Sequence, residues 1–237
     1  MKTPKIILVV EDEADLRELI GFNLEREGFQ CRKVADGDEA LAAIAKTPPH
    51  LVILDRMLPN TSGDEVLARL RRNPQTAAMP VLMLTAKADE SDELVGFAMG
   101  ADDYVTKPFS MKALIARVGA MLRRYREMTP DGGKDPLSSG PVVLDAERHS
   151  VTVDGKPIAL TATEFRLLKA VMSAGGRLRS REQLIDVALG PNVAVVDRTI
   201  DVHIAALRKK LGPAAKWVHT VRGSGYLWRS PSQSSES

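Results

Sequence analysis

The sequence predicts two folds in tandem: a five-stranded, doubly wound parallel α/β unit, then a smaller α+β unit. Three observations carry this reading. Between Lys5 and Arg124, short apolar runs alternate with amphipathic stretches, as strands buried on both faces alternate with the helices that cover them. Residues 126–140, REMTPDGGKDPLSSG, lose all apolar periodicity, as a linker does. Beyond them, strand alternation appears around a hairpin signal. The charge divides in the same way. Residues 1–125 carry 17 Lys and Arg against 19 Asp and Glu, whereas residues 141–229 carry 14 against 8. The basic excess of the second unit points to a polyanionic partner.

In the first unit, residues 1–125, the apolar runs Ile6–Val10, Leu51–Leu54 and Val81–Leu84 read as central strands. Weaker strands are expected near Cys31–Ala35 and Asp103–Thr106, and a helix follows each strand. Right-handed crossovers make such a sheet parallel, and its ligands bind at the strands' carboxyl ends. In the second unit, residues 141–230, SVTVDGKPIAL reads as a hairpin turning on Asp154 and Gly155. Thr161 with Glu164, and Ser180 with Gln183, have capping-box spacing and open two helices; Gly175 and Gly176 close the first. A third helix near Asp197–Leu211 stops at Gly212 and Pro213, and HTVRGSGYLWR forms a closing hairpin. Strands, three helices and a hairpin describe a winged-helix unit. Residues 231–237 are a polar tail, expected to be disordered.

One cysteine, Cys31, allows no intrachain disulfide and fits a reducing compartment. No apolar stretch approaches the roughly 18 residues of a membrane helix, and no hydrophobic leader with a cleavage site opens the chain, so a cytoplasmic protein without membrane contact is expected.

The first strand runs straight into Glu11, Asp12 and Glu13. Acids at the end of a buried strand repel one another and lose solvation unless a cation joins them. Strand ends would bring Glu11, Asp12, Asp55, Thr85 and Lys107 to one sheet edge, and an all-oxygen cup suits Mg²⁺. Glu13, one residue further on, is expected to point elsewhere.

The motifs VVEDE, LVILDRMLPNTSG, MLTAK and GADDYVTKPFS resemble, in order, those of a response-regulator receiver domain, a flavodoxin-like fold. The resemblance implies that Asp55 is a phosphoacceptor served by a sensor histidine kinase, with Mg²⁺ held by Glu11, Asp12, Asp55 and the backbone carbonyl of Met57. It further implies that Thr85 and Lys107 engage the phosphoryl group, that Tyr104 is an aromatic switch, and that Pro108 is a cis-proline position. The chemistry is coherent: a carboxylate nucleophile needs positioning and charge neutralisation.

In DRTIDVHIAALRKKL, Ile200, Ile204, Leu207 and Leu211 form one apolar stripe. The opposite face carries Arg198, Val202, Ala205, Ala206 and Lys209, with Thr199 and His203 towards its edge, and could enter a DNA major groove. Together with LTATEFRLL, SREQLI and TVRGSGY, this segment resembles the effector domain of the OmpR/PhoB family, nearest to its phosphate-regulon members. The resemblance implies DNA contacts by Arg198, Thr199, Val202, His203, Arg208, Lys209, Thr220, Arg222 and Tyr226, with Arg222 in the minor groove. It also implies a homodimer on tandem half-sites of double-stranded DNA, with Asp102, Asp103, Arg117 and Arg124 at the receiver interface, and a contact with RNA polymerase. Three departures stand out: Ala205 and Ala206 replace two arginines, Leu189 replaces the polymerase-contacting tryptophan, and Glu93 and Ala113 replace a third ion pair of the dimer.

The whole reads as a phosphorylation-switched transcriptional regulator rather than an enzyme. The competing readings are a constitutive DNA-binding regulator with a vestigial receiver and a Mg²⁺-dependent phosphohydrolase. Against the latter, no second acid stands two residues after Asp55. A nucleotide phosphate-binding glycine loop is also missing from the sequence, which disfavours an NTPase.

Overall fold

Strand β1 (Ile6–Val10) of the first sheet pairs in parallel with the edge strand β2 (Gln30–Val34) on one side and with β3 (Leu51–Asp55), the central strand, on the other. β4 (Val81–Ala86) and β5 (Asp103–Lys107) extend the sheet to the order β2-β1-β3-β4-β5. The order reverses between β1 and β3, which opens a crevice at their carboxyl ends. Helices α1 (Ala14–Arg26), α2 (Gly37–Lys46) and α3 (Gly63–Arg72) are the crossovers described, and α4 (Met111–Glu127) follows β5. Continuous runs such as Leu51–Leu54 are fully buried, because helices cover both sheet faces. Gly63 opens α3 where a Cβ would collide with the Asp55 carbonyl oxygen, so α3 can start hard against the end of β3.

The computed structural model describes residues 4–86, 100–127, 136–190 and 198–231. The expected helix after β4, with Glu93, lies outside the described residues. So do the centre of the linker, most of the loop from 188 to 197, and all but the first residue of the tail.

The chain divides into two units between Arg123 and Arg124. The second begins earlier than the sequence predicts. Strand β6 (Leu137–Ser139), placed in the linker by its composition, pairs antiparallel with β7 (Val142–Asp145). Ser139 Oγ accepts a hydrogen bond from Trp228 Nε1 at 2.9 Å, and Gly140 has φ +60° where a Cβ would strike the Trp217 ring. Trp217 and Trp228 pack 5.7 Å apart, and this long-range anchor makes a strand of the three residues Leu137–Ser139. β8 (Ser150–Val153) and β9 (Lys156–Ile158) complete the four-stranded sheet. Their two-residue turn has Asp154 and Gly155 both at positive φ, 49° and 73°, as a type I′ hairpin requires.

Helices α5 (Ala162–Ser173) and α6 (Arg181–Ala188) each start at the expected reciprocal capping box. α7 (Arg198–Leu211) buries Ile200, Ile204, Leu207 and Leu211 as its periodicity predicts. β10 (Arg179–Ser180), β11 (Val218–Val221) and β12 (Gly225–Trp228) form the second small sheet, whose β11–β12 hairpin is the wing.

His149, at φ 54°, stacks on Phe165 with ring centroids 4.2 Å apart, and neither ring nitrogen has a hydrogen-bond partner among the described residues. Burial, with Arg166 and Lys169 nearby, pushes its pKa from 6.5 down to about 4. Between those values the unfolded chain binds more protons than the folded one. Effector stability therefore rises from about pH 4 to about pH 6.5 by up to about 3 kcal/mol and is complete above that range. In His149→Phe, which keeps the stack, unfolding followed by tryptophan fluorescence should lose most of this acid sensitivity. A wild-type slope surviving in the variant would assign it to another group.

Candidate functional site

Three strand ends build the acidic site. Glu11 follows β1, Asp55 ends β3, and Lys107 ends β5 next to Pro108, whose peptide is cis. Lys107 Nζ donates to Asp55 Oδ2 at 2.6 Å and to Glu11 Oε1 and Oε2 at 3.0 and 2.8 Å. The second Asp55 oxygen, Oδ1, accepts from the Met57 amide at 3.1 Å. Glu11 and Asp55 are almost fully buried, whereas Asp12 is exposed. Glu13 is exposed and caps α1 without a side-chain hydrogen bond, outside the cup as expected.

Desolvation is the largest influence on Glu11 and raises its pKa from 4.5 to about 7; Asp55 adds repulsion, and the Lys107 hydrogen bonds oppose both. Burial disfavours the charge of Lys107, but its bonds to Asp55 and Glu11 outweigh that and raise its pKa. Three carboxylates against one ammonium leave two formal negative charges, the complement of one divalent cation. One ligand oxygen from each of Glu11, Asp12 and Asp55 lies within 4.8 Å of the others. Opposite ligands of an octahedral Mg²⁺ stand roughly 4.2 Å apart, so the group fits that ion with water completing the shell.

Thr85 is buried, and its hydroxyl donates to the Ala86 carbonyl at 3.1 Å. Tyr104 is also buried, which pushes its hydroxyl pKa up.

Residues expected at the dimer interface have partners within the chain. Asp102 is 1% exposed and accepts from Arg71 Nη2 at 2.9 Å and from the Val81 amide at 3.0 Å. Arg71 also donates to the carbonyls of Gly100, Ala77 and Met79. Asp102 is thus part of a buried internal clasp, which adjacent acids in a sequence cannot announce. Asp103 meets Arg117 within the same chain, at 2.9 and 3.0 Å. Arg124 belongs to the second unit, where its Nε and Nη1 are buried, with Nη1 against Gly190.

In the effector, Lys209, Ala205, Thr220 and Arg222 are exposed and Val202 and Ala206 half-buried, an outward face on α7 beside an exposed wing tip. The side chain of Arg198 lies outside the described residues. His203 and Thr199 are 1% and 3% exposed, so the buried arc of α7 is wider than its apolar stripe. Tyr226 is also buried, with its hydroxyl donating to Asp201 Oδ1 at 2.6 Å. The same oxygen accepts from Arg181 Nε at 2.9 Å. Arg208 Nη2 is occupied by the Val218 carbonyl and Thr220 Oγ1, at 2.6 and 2.7 Å. Arg181 and Arg208 both lie over the Tyr226 ring. This tie between α6, α7 and the wing was not visible in the sequence. Leu189, at the polymerase-contact position, is buried at the end of α6.

Residues 7–119 match the family described as response regulator receiver domain, and residues 155–228 the family transcriptional regulatory protein, C terminal. The chain is 45% identical to the phosphate regulon transcriptional regulatory protein PhoB of Pseudomonas aeruginosa, covering 96% of this chain and 99% of that protein. It is 45% identical to the sensory transduction protein RegX3 of Mycolicibacterium smegmatis, covering 93% and 97%. Among solved structures, a RitR mutant superposes with a TM-score of 0.81 at 28% identity, covering 95% of this chain and 99% of that one. DrrB of Thermotoga maritima, an OmpR/PhoB homologue, gives 0.51 at 29% identity, covering 96% and 100%. No described helix is long and apolar enough to cross a membrane. The chain belongs to the OmpR/PhoB family of two-component response regulators, and is a phosphorylation-activated transcriptional regulator rather than an enzyme.

Proposed function

We propose that Asp55 is the phosphoacceptor, loaded by a sensor histidine kinase in the cytoplasm. The observation that carries this is the Lys107 ammonium, 2.6 Å from Asp55 and bridging it to Glu11 beside the open carboxylate of Asp12. Glu11, Asp12, Asp55 and the Met57 carbonyl would hold Mg²⁺, which supplies positive charge to the transferring phosphoryl group. Asp55 attacks the phosphorus through a carboxylate oxygen, and the donor's leaving group departs with the electron pair of the broken bond. Lys107 neutralises the charge gained, and Thr85 turns its hydroxyl from Ala86 to a phosphoryl oxygen, with Tyr104 packed inward behind it.

The output is a homodimer that raises the local concentration of two effectors on tandem DNA half-sites. Val202, Ala205, Ala206 and Lys209, with Arg198, face the major groove, and Arg222 reaches the minor groove. Arg208, Tyr226 and Asp201 brace the wing. With alanines where the family has two arginines, DNA affinity falls less steeply with salt than in relatives that carry them. RNA polymerase is the downstream partner, through a surface other than buried Leu189.

The test is site mapping: incubate the chain with phosphoramidate and Mg²⁺, reduce with borohydride, and sequence the peptides by mass spectrometry. The label should fall on Asp55 and require the metal; a label elsewhere, or none, contradicts the assignment.

A further inference from the structure

We propose that Arg17 is a positioning residue for the Mg²⁺ cup, an inference that rests on the phosphoacceptor reading above. Arg17 comes from the first turns of α1, and its Nη1 donates to the Glu11 carbonyl at 2.6 Å and to the Asp12 carbonyl at 3.1 Å. One guanidinium nitrogen therefore pins the backbone of two consecutive residues whose carboxylates belong to the cup.

Among the described residues, the backbone of the turn from β1 to α1 has few other hydrogen bonds. Glu11 donates its amide to the Val34 carbonyl at 3.2 Å, a long bond at the sheet edge. Glu13 caps α1 without a side-chain hydrogen bond, so the usual fastening of a helix start is absent here. Arg17 takes over that role from within the helix, and its own amide closes the first turn on Glu13 O at 2.9 Å.

A cation so near a cation site should weaken metal binding by repulsion, which makes the arrangement informative. The guanidinium meets backbone oxygens, while Lys107 is the cation that meets the Glu11 carboxylate. Arg17 thus acts on the turn: it orients two ligand-bearing residues before the metal arrives, as outer-shell hydrogen bonds do for metal ligands. Geometry and charge make opposite predictions for its removal, and two variants separate them. Arg17→Lys keeps the charge and loses the two-carbonyl grip; Arg17→Met keeps the alkyl bulk and loses both.

The experiment is calorimetric titration of Mg²⁺ into the full chain, wild type and both variants, with Asp12→Asn as the control for the site. Thermal unfolding in EDTA is recorded for each. Both Arg17 variants should bind Mg²⁺ about tenfold more weakly, with unfolding in EDTA little changed. Unaltered affinity, tighter binding by Arg17→Met, or a fall in unfolding temperature without a change in affinity overturns the proposal. Wild-type binding that survives Asp12→Asn, or no binding at all, overturns the cup reading together with it. Failure confined to the Arg17 variants leaves the cup standing.

Discussion

Asp55→Asn should abolish borohydride-trapped phosphoryl uptake completely while leaving the metal-free receiver at least as stable as wild type. The two outcomes share one cause. Asp55 is 3% exposed, and its charge adds to the repulsion that, with burial, holds the Glu11 pKa near 7. An amide of the same shape removes that repulsion, and Lys107 stays paired with Glu11 through two hydrogen bonds. Relief of that repulsion offsets the weakened bond from Lys107 to Asp55. Urea unfolding followed by circular dichroism, beside the mapping assay, reads both quantities. Uptake by the variant would remove Asp55 from its role. Loss of uptake accompanied by loss of the fold would show that Asp55 also holds the receiver together.

Arg71→Met should cost the receiver about 3–5 kcal/mol, a large share of the 5–15 kcal/mol typical of a domain. Arg71 is 8% exposed and bonds Asp102 together with three backbone carbonyls around the start of β4 and β5. Removing it strands a buried carboxylate and leaves those carbonyls without their donor. Adding Asp102→Leu should recover part of the loss by removing the stranded charge, but not all, because Val81 then loses an acceptor. Both tryptophans, Trp217 and Trp228, lie in the effector. A dichroism transition that moves to lower urea without a matching change in tryptophan fluorescence would place the effect in the receiver. A loss below 1 kcal/mol would mean that water reaches the clasp.

Features carried by local spacing were legible in the sequence. The uninterrupted runs of β1, β3 and β4 mark central strands, and both capping boxes mark helix starts, because each signal is complete within a few residues. The convergence of Glu11, Asp55 and Lys107 was legible for another reason: parallel strands all end on one edge. What escaped depends on partners distant in the chain. Arg71 meets Asp102 across 31 positions, and Trp228 meets Ser139 across 89, which turns an apparent linker into β6. On α7 the period revealed the stripe Ile200, Ile204, Leu207 and Leu211 but not its width. His203 and Thr199, at its edge, are covered by the surrounding fold. Arg208 looked free for DNA because its partners Val218 and Thr220 belong to the wing.

If a phosphoryl group on Asp55 drives association, solution mass measured by light scattering reports it. Wild type and Asp55→Asn are measured with Mg²⁺, before and after phosphoramidate. A shift from monomer to dimer in wild type alone is the predicted result. Equal masses in all four samples would contradict it and bring forward a constitutive regulator.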